Sequence, residues 1–245
     1  MPISANFTSI YTKEWEINFI QCYPNGHLKY TELCTIFQLT AALHAEKGGL
    51  SFTDMQVFDQ AWVLSLMRVE VDQLPKWGDV VTVKTWIIEM SGFRSIRALE
   101  LYVGNKKLAG ALTNWVVLNT KLRKPESLAL PFNHFEMHPE MQPTVKQVEK
   151  IAITEAVKLL KTKAVVLSDL DIVNHANNVK YLEWCLDSIS PELILSQKIK
   201  ALDMNFLREL HLHDVIEINA ALEEIPFLIS VSKKGKNSFA LQIDI

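Results

Sequence analysis

Between Asp169 and Tyr181 the chain reads Asp-Leu-Asp-Ile-Val-Asn-His-Ala-Asn-Asn-Val-Lys-Tyr, which crowds two carboxylates, three asparagines and a histidine into one short stretch. An imidazole beside a carboxylate can move protons, or hold a reacting carbonyl, near neutral pH. The flanking sequence determines how these groups are presented. The apolar run Ala164-Val165-Val166-Leu167 reads as a buried strand, and Val179, Leu182, Leu186 and Ile189 recur at helical spacing. A helix over Asn178–Ile189 would begin beside the histidine, where unpaired amides near Asn177–Val179 and a partial positive charge favour an oxyanion. The same residues also fit an Asx-rich turn, with Asn177 or Asn178 as the helix N-cap and His175 at the surface, and spacing alone does not separate the two.

Composition bounds the rest. A chain of 245 residues is long enough for one large domain or two ordinary ones, and 49% apolar with 22% charged residues is the make-up of a soluble globular protein. A net charge of −3, with neither half strongly basic, excludes bulk nucleic-acid binding. Residues 1–16 lack the apolar core of a signal peptide, and no apolar run reaches the roughly 18 residues of a membrane span. Cys22, Cys34 and Cys185 are scattered and unpaired in sequence, as expected of reduced thiols in a cytoplasmic protein. His134, His138, His211 and His213 lack metal-ligand spacing, so neither a metal nor a cofactor is expected.

The elements that must hold the histidine loop come in two similar sets. In the first, Trp15–Cys22 alternates like a strand, Pro24-Asn25-Gly26 breaks it, and a helix runs from a Thr31 N-cap to Gly48-Gly49. Four long strands follow at Trp62–Asp72, Asp79–Met90, Phe93–Val103 and Lys107–Asn119; the tight turns between them demand antiparallel pairing. Four prolines between Leu122 and Val148 mark a linker. In the second set, a strand at Ala164–Asp171 leads through the histidine loop into the helix. Strands are then expected at Ile199–Leu207, Asp214–Glu224, Pro226–Lys233 and Ser238–Ile245. Even short phrases correspond, with Leu74-Pro75-Lys76-Trp77-Gly78-Asp79 set against Leu210-His211-Leu212-His213-Asp214. The expected fold is α+β, a tandem (double) hot-dog in which each half is a helix wrapped by a curled antiparallel sheet. The expected divisions are residues 1–124, a linker at 125–149, and 150–245 with the catalytic residues.

These phrases resemble the acyl-ACP thioesterase family of plants and bacteria over most of the chain. The resemblance rests on Trp62–Glu70, Trp77–Trp86, Asn114–Asn119 with Arg123 behind it, Gln38 with His44, and above all Asp169–Tyr181. It implies hydrolysis of fatty acyl-acyl carrier protein to free fatty acid, ending chain elongation, with acyl carrier protein as partner. The family's catalytic aspartate falls on Asp171, its histidine on His175 and its glutamate on Glu209, on the strand after the helix. Plant members usually carry Asn where this chain has Val173, with Asn174 one place on, and often Cys where this chain has Leu210, so a cysteine nucleophile is not required.

The residue chemistry runs alongside. A thioester needs a positioned water, a base and a partner for its carbonyl oxygen. Glu209 is the candidate base or nucleophile, His175 and the helix amides polarise the carbonyl, and Asp171 orients water or histidine; Asn174 and Asn177 are further candidates. Asp169 reads as a brace for the loop. Gln38, Leu39, Leu43 and Trp86 are candidate walls for the acyl chain. Arg94, Arg97, Lys121, Arg123 and Lys124 are candidate contacts for the acidic carrier protein, although the odd spacing of Arg94 and Arg97 points them to opposite strand faces. The alternatives are an acyl-CoA thioesterase, a hot-dog dehydratase and a non-catalytic acyl-thioester sensor. Two fused modules are compatible with a monomer or a homodimer.

Overall fold

In the computed structural model, which describes residues 3–153, 157–221, 223 and 225–245, the chain divides into two units. One comprises Met1–Ser65 and Asp72–Gln147, the other Leu66–Val71 and Val148–Ile245. In the first, β1 (Tyr11–Glu16) leads through a 3-10 turn at Phe19–Gln21 to α1 (Tyr30–Lys47) and the short α2 (Phe52–Gln56). The long strands β2 (Gln60–Val71), β3 (Val80–Ser91), β4 (Arg94–Val103) and β5 (Lys106–Asn119) follow, with a two-residue β6 (Lys124–Pro125) paired to β5. The sheet order is β1-β3-β4-β5-β2, and the β1-β3, β3-β4 and β4-β5 pairs are antiparallel.

Helix α1 packs against β1 and β3 and is buried along most of its length, from Tyr30 and Leu33 to Ala41 and His44. Its N-cap is Lys29, with no side-chain cap bond, so Thr31 is a buried helical residue and not the cap its type suggested. The helix ends at Gly48, and Gly49 follows at a φ of 70° that a β-carbon would resist. The Pro-rich stretch expected as a linker packs on the first unit. Phe135 is buried with Leu50, Ile87 and Met90, the indole N–H of Trp86 donates to the carbonyl of Met141 (3.1 Å), and Met137 bridges to Ile87. Gly110 is required there, because a β-carbon would lie 2.0 Å from the carbonyl oxygen of Pro143. Proline removed the periodicity that sequence reading depends on, but the apolar side chains still had a surface to cover.

The second unit contains β7 (Lys158–Ala164), α3 (Asn178–Leu186), α4 (Pro191–Leu195), β8 (Ala201–Phe206), β9 (Val215–Ala221), β10 (Phe227–Lys233) and β11 (Lys236–Asp244). Its sheet runs from the second half of β2 through β8, β11, β10 and β9 to β7, with antiparallel pairing throughout, and α3 packs on β10 and β11. Strand β2 therefore serves both units, up to Ser65 in one and from Leu66 in the other. Within the second unit Met67 faces Met204, and buried Arg68 pairs with Asp203 and, at 2.8 Å, with Glu70.

Two expectations change here. The apolar run before the histidine loop is not a buried strand: β7 ends at Ala164, Val165 is buried, and Val166 and Leu167 are exposed, with a 3-10 turn at Leu167–Asp169. The expected helix over 178–189 stops at Leu186, with Asp187 as its C-cap. The expected end of a strand at Glu224 lies outside the described residues.

Candidate active site

The loop before α3 is held by its own polar residues. Asp169 is buried, and its Oδ2 accepts from the Val166 amide (2.9 Å) and from Lys163 Nζ (3.2 Å). Burial alone would raise its pKa; the Val166 N–H and the Lys163 ammonium outweigh that and hold it below the ordinary carboxylate value. The Asp169 carbonyl accepts from the Asn177 amide (2.9 Å). Asn177 is the N-cap of α3, its Oδ1 accepting from the Val179 amide at 2.9 Å. Two of the amides expected to polarise a carbonyl, those of Asn177 and Val179, are thus already engaged.

Asp171 closes the loop around the histidine. Its Oδ1 accepts from the amides of Val173 (3.0 Å) and His175 (3.3 Å), and its own amide donates to the His175 carbonyl (2.9 Å). This is an Asx-type turn. Asn174 sits at its tip, exposed and at a φ of 63°, a left-handed position that asparagine tolerates better than most residues.

One backbone bond brings the far segment in: the Ala176 amide donates to the Leu210 carbonyl at 2.8 Å. The residues on either side, His175 and Glu209, are consequently neighbours, with His175 Nε2 3.4 Å from Glu209 Oε2 and both side chains about a quarter exposed. Glu209 is not on the strand, as expected, but three residues beyond the end of β8, where the chain has left the sheet and its carboxylate meets solvent. Both groups are placed by segments that are themselves tied down, so the pair is pre-positioned.

A third residue, the exposed His211, joins them. The His211 ring meets the His175 ring edge-on, centroids 4.9 Å apart, and one donor atom from each of His175, Glu209 and His211 lies within 4.8 Å of the others. The His211 amide donates to Asp214 Oδ2 (2.9 Å), and Asp214 pairs with Lys233 (2.6 Å). The available signal was adjacency: His211 is two residues from Glu209, a spacing that puts both side chains on one side of an extended chain. Two imidazoles and a carboxylate could also hold a divalent cation, with one member, His211, exposed. The thiols are poorly suited to nucleophilic attack: Cys34 and Cys185 are buried, and burial pushes Cys34 up to about 12 and Cys185 higher.

The acyl-chain candidates lie in the first unit, where a cavity of about 390 Å³ is lined by Ala41, Ala42, Ala45, Leu50, Trp62 and Trp115 among others, including Gln38. Gln38 is among the residues that line it. Leu39 is instead 47% exposed, and neither Leu43 nor Trp86 lines the cavity; Trp86 is buried with its indole bonded to Met141. Among the candidate docking residues, Arg94 is exposed and paired with Glu89 (2.6 Å), and Lys121 is exposed and paired with Asp59 (2.9 Å). Arg123 and Lys124 are exposed beside it. Arg97 is a correction: it is buried on the opposite face of β4 from Arg94 and lines the cavity, so it offers no charge to a docking partner.

Two helix-and-curled-sheet halves in tandem define a double hot-dog protein. Residues 8–132 match the family model described as the acyl-ACP thioesterase N-terminal domain, and residues 154–245 match that of the C-terminal domain, so the chain belongs to the acyl-ACP thioesterase family. A chloroplastic acyl-[acyl-carrier-protein] hydrolase of Cuphea viscosissima is 30% identical over 200 residues, 76% of this chain and 48% of that protein. A palmitoyl-acyl carrier protein thioesterase of Gossypium hirsutum is 31% identical over 188 residues, 70% of this chain and 45% of its own length. The chain thus spans about half the length of these curated relatives. Among solved structures, an acyl-ACP thioesterase from Bacteroides thetaiotaomicron superposes with a TM-score of 0.89 at 22% identity, covering 96% of this chain and 97% of that one. The 12:0-ACP thioesterase of Umbellularia californica gives 0.77 at 19% identity, with 97% of both chains covered. At these identities the structural likeness establishes the fold.

Proposed function

We propose that the protein hydrolyses the thioester of fatty acyl-acyl carrier protein, releasing free fatty acid, with Glu209 as general base and His175 as its partner. The observation that carries this reading is the 3.4 Å contact between His175 Nε2 and Glu209 Oε2 on a loop fixed by Ala176 and Leu210. Glu209 takes a proton from water, the hydroxide oxygen bonds to the acyl carbon, and the carbon–sulfur bond breaks. The proton then passes to the leaving sulfur, which departs as the phosphopantetheine thiol, and Glu209 is restored. His175 orients the carboxylate and donates to the carbonyl oxygen as charge develops there. Asp171, through Val173 and His175, holds the turn, and Asn174 shapes its tip. A base acting through water fits a carboxylate that reaches solvent, and no cofactor or metal takes part in this scheme.

The carrier protein is acidic, and the exposed Lys121, Arg123 and Lys124 at the end of β5, with Arg94 on β4, are its proposed contacts. A cytoplasmic enzyme working as a monomer or homodimer completes the reading; among the described residues no helix is long and apolar enough to cross a membrane. The test is release of free thiol from a panel of acyl-ACP and acyl-CoA thioesters by the wild-type protein and the Glu209→Gln variant. Thiol release from acyl-ACP that Glu209→Gln abolishes supports the reading. Equal turnover by both proteins, or binding without thiol release, overturns it.

A further inference from the structure

The first unit contains a charge that the proposed hydrolysis does not use. Arg97 is only 6% exposed, and its Nη1 donates to His44 Nδ1 (2.8 Å) and Thr85 Oγ1 (3.1 Å), both neutral acceptors. His44 stays uncharged in this setting: burial first, then the guanidinium beside it, lowers its pKa to about 3, and its Nε2 donates to the Thr8 carbonyl at 2.9 Å. Among the described residues no carboxylate pairs with the guanidinium, and its Nε and Nη2 make no hydrogen bond. Burying a cation without a counter-charge is costly unless something supplies one. Arg97 borders the cavity of about 390 Å³, where the Ser95 hydroxyl is the polar group nearest along β4 and the remaining wall is mostly alanine, leucine, methionine and tryptophan. Glu46, exposed, also borders it. The volume falls in the range of small-molecule sites, about 300–1,000 Å³.

We propose that this cavity is a fatty-carboxylate site: an alkyl chain lies along the apolar wall and its carboxylate pairs with Arg97, assisted by Ser95. A planar carboxylate matches the geometry of the guanidinium fork, and the low dielectric that makes an unpaired Arg97 costly strengthens the pair once formed. All residues involved belong to the first unit, whereas His175 and Glu209 belong to the second. That the bound acid is also the product of hydrolysis, and so a feedback ligand, rests on the function proposed above; the binding itself does not.

Trp62 and Trp115 line the cavity and report on it. Titration of the full chain with dodecanoate, dodecanol and methyl dodecanoate, below their aggregation limits and followed by tryptophan fluorescence, separates charge from chain. The acid should bind at least ~10-fold tighter than the ester or alcohol, as expected of one charge-assisted hydrogen-bonded pair. Arg97→Met should remove that preference while retaining ester binding, Arg97→Lys should keep part of it, and Ser95→Ala should weaken acid binding a few-fold. Equal affinity of the wild type for acid and ester overturns the proposal, and this comparison decides the matter even if Arg97→Met does not fold. An acid preference that survives in a folded Arg97→Met protein overturns it as well. No thioester is present in these titrations, so a failure of hydrolysis leaves the result standing, and a failure to bind acid leaves hydrolysis untouched.

Discussion

The corner before the helix is built twice, bond for bond, and only one copy carries the polar groups that chemistry needs. In the second unit the Asp171 amide donates to His175 O (2.9 Å), and in the first the Tyr23 amide donates to His27 O (2.8 Å). Asn174 at a φ of 63° has its counterpart in Gly26 at 79°. The Ala176 amide reaches Leu210 O at 2.8 Å, as the Leu28 amide reaches Pro75 O at the same distance. The His211 amide is capped by Asp214 (2.9 Å) and the Lys76 amide by Asp79 (2.8 Å). These bonds set His175 against His27, Asp171 against Tyr23, His211 against Lys76 and Glu209 against Leu74. The scaffold therefore does not make the site; a histidine at this corner is present in both halves, and the carboxylates are present in one. The division of labour extends to the interior, since the described cavity and the buried Arg97–His44 pair lie in the first unit.

Substitutions can test each side of that contrast. If Glu209 is the base proposed above, Glu209→Gln should lower kcat/KM by ~10²–10⁴-fold on an acyl-ACP substrate with an unchanged thermal melt. His175→Ala should cost a similar or somewhat smaller factor, read from the same thiol-release assay. Leu74→Glu should not create a second site. Leu74 is buried, so a carboxylate there should cost about 3 kcal/mol, seen as a lowered urea midpoint with no gain in turnover.

The buried histidine of the first unit gives a pH signature. Above pH ~6.5 neither folded nor unfolded chain protonates His44; below it the unfolded chain takes a proton that the fold, with a pKa of about 3, refuses. Stability should fall with pH through that window by at most about 1.4 kcal/mol per unit, and His44→Gln should flatten the slope of urea midpoint against pH between 7 and 4.5. A slope unchanged by His44→Gln would assign the acid sensitivity elsewhere. The smallest effect is expected at the counterpart histidine: His27→Ala should change turnover less than ~2-fold. A loss comparable to that of His175→Ala would mean that both corners take part.

The long strands were legible because their ends are punctuated, whereas the strand expected over Trp15–Cys22 is instead Tyr11–Glu16, with a 3-10 turn at Phe19–Gln21. Leu74–Gly78, Ser91-Gly92, Gly104-Asn105 and Lys234–Asn237 are turn residues between long β-branched runs, and the observed strands begin and end within a few residues of them. The two similar halves were legible as well, but one residue out of register: the phrases align on Leu74 and Leu210, whereas hydrogen bonding aligns Pro75 with Leu210 and Asp79 with Asp214. The errors share a cause. Ala164–Leu167 is apolar but too short for periodicity to separate a strand from a turn. Glu209 leaves the sheet, and His211 approaches His175, through contacts between segments more than thirty residues apart, which local pattern does not encode. The opposite facing of Arg94 and Arg97 was legible from their spacing, but that the inward one would border a cavity was not.

Strand β2 gives the duplication a different meaning at the level of the gene. A polypeptide cut within residues 125–149 would leave the later piece without Leu66–Val71, and with them Arg68, the cation against which Asp203 is buried. The later module is thus completed by six residues that the chain supplies long before the rest of it, and a division drawn by the repeat alone would separate them.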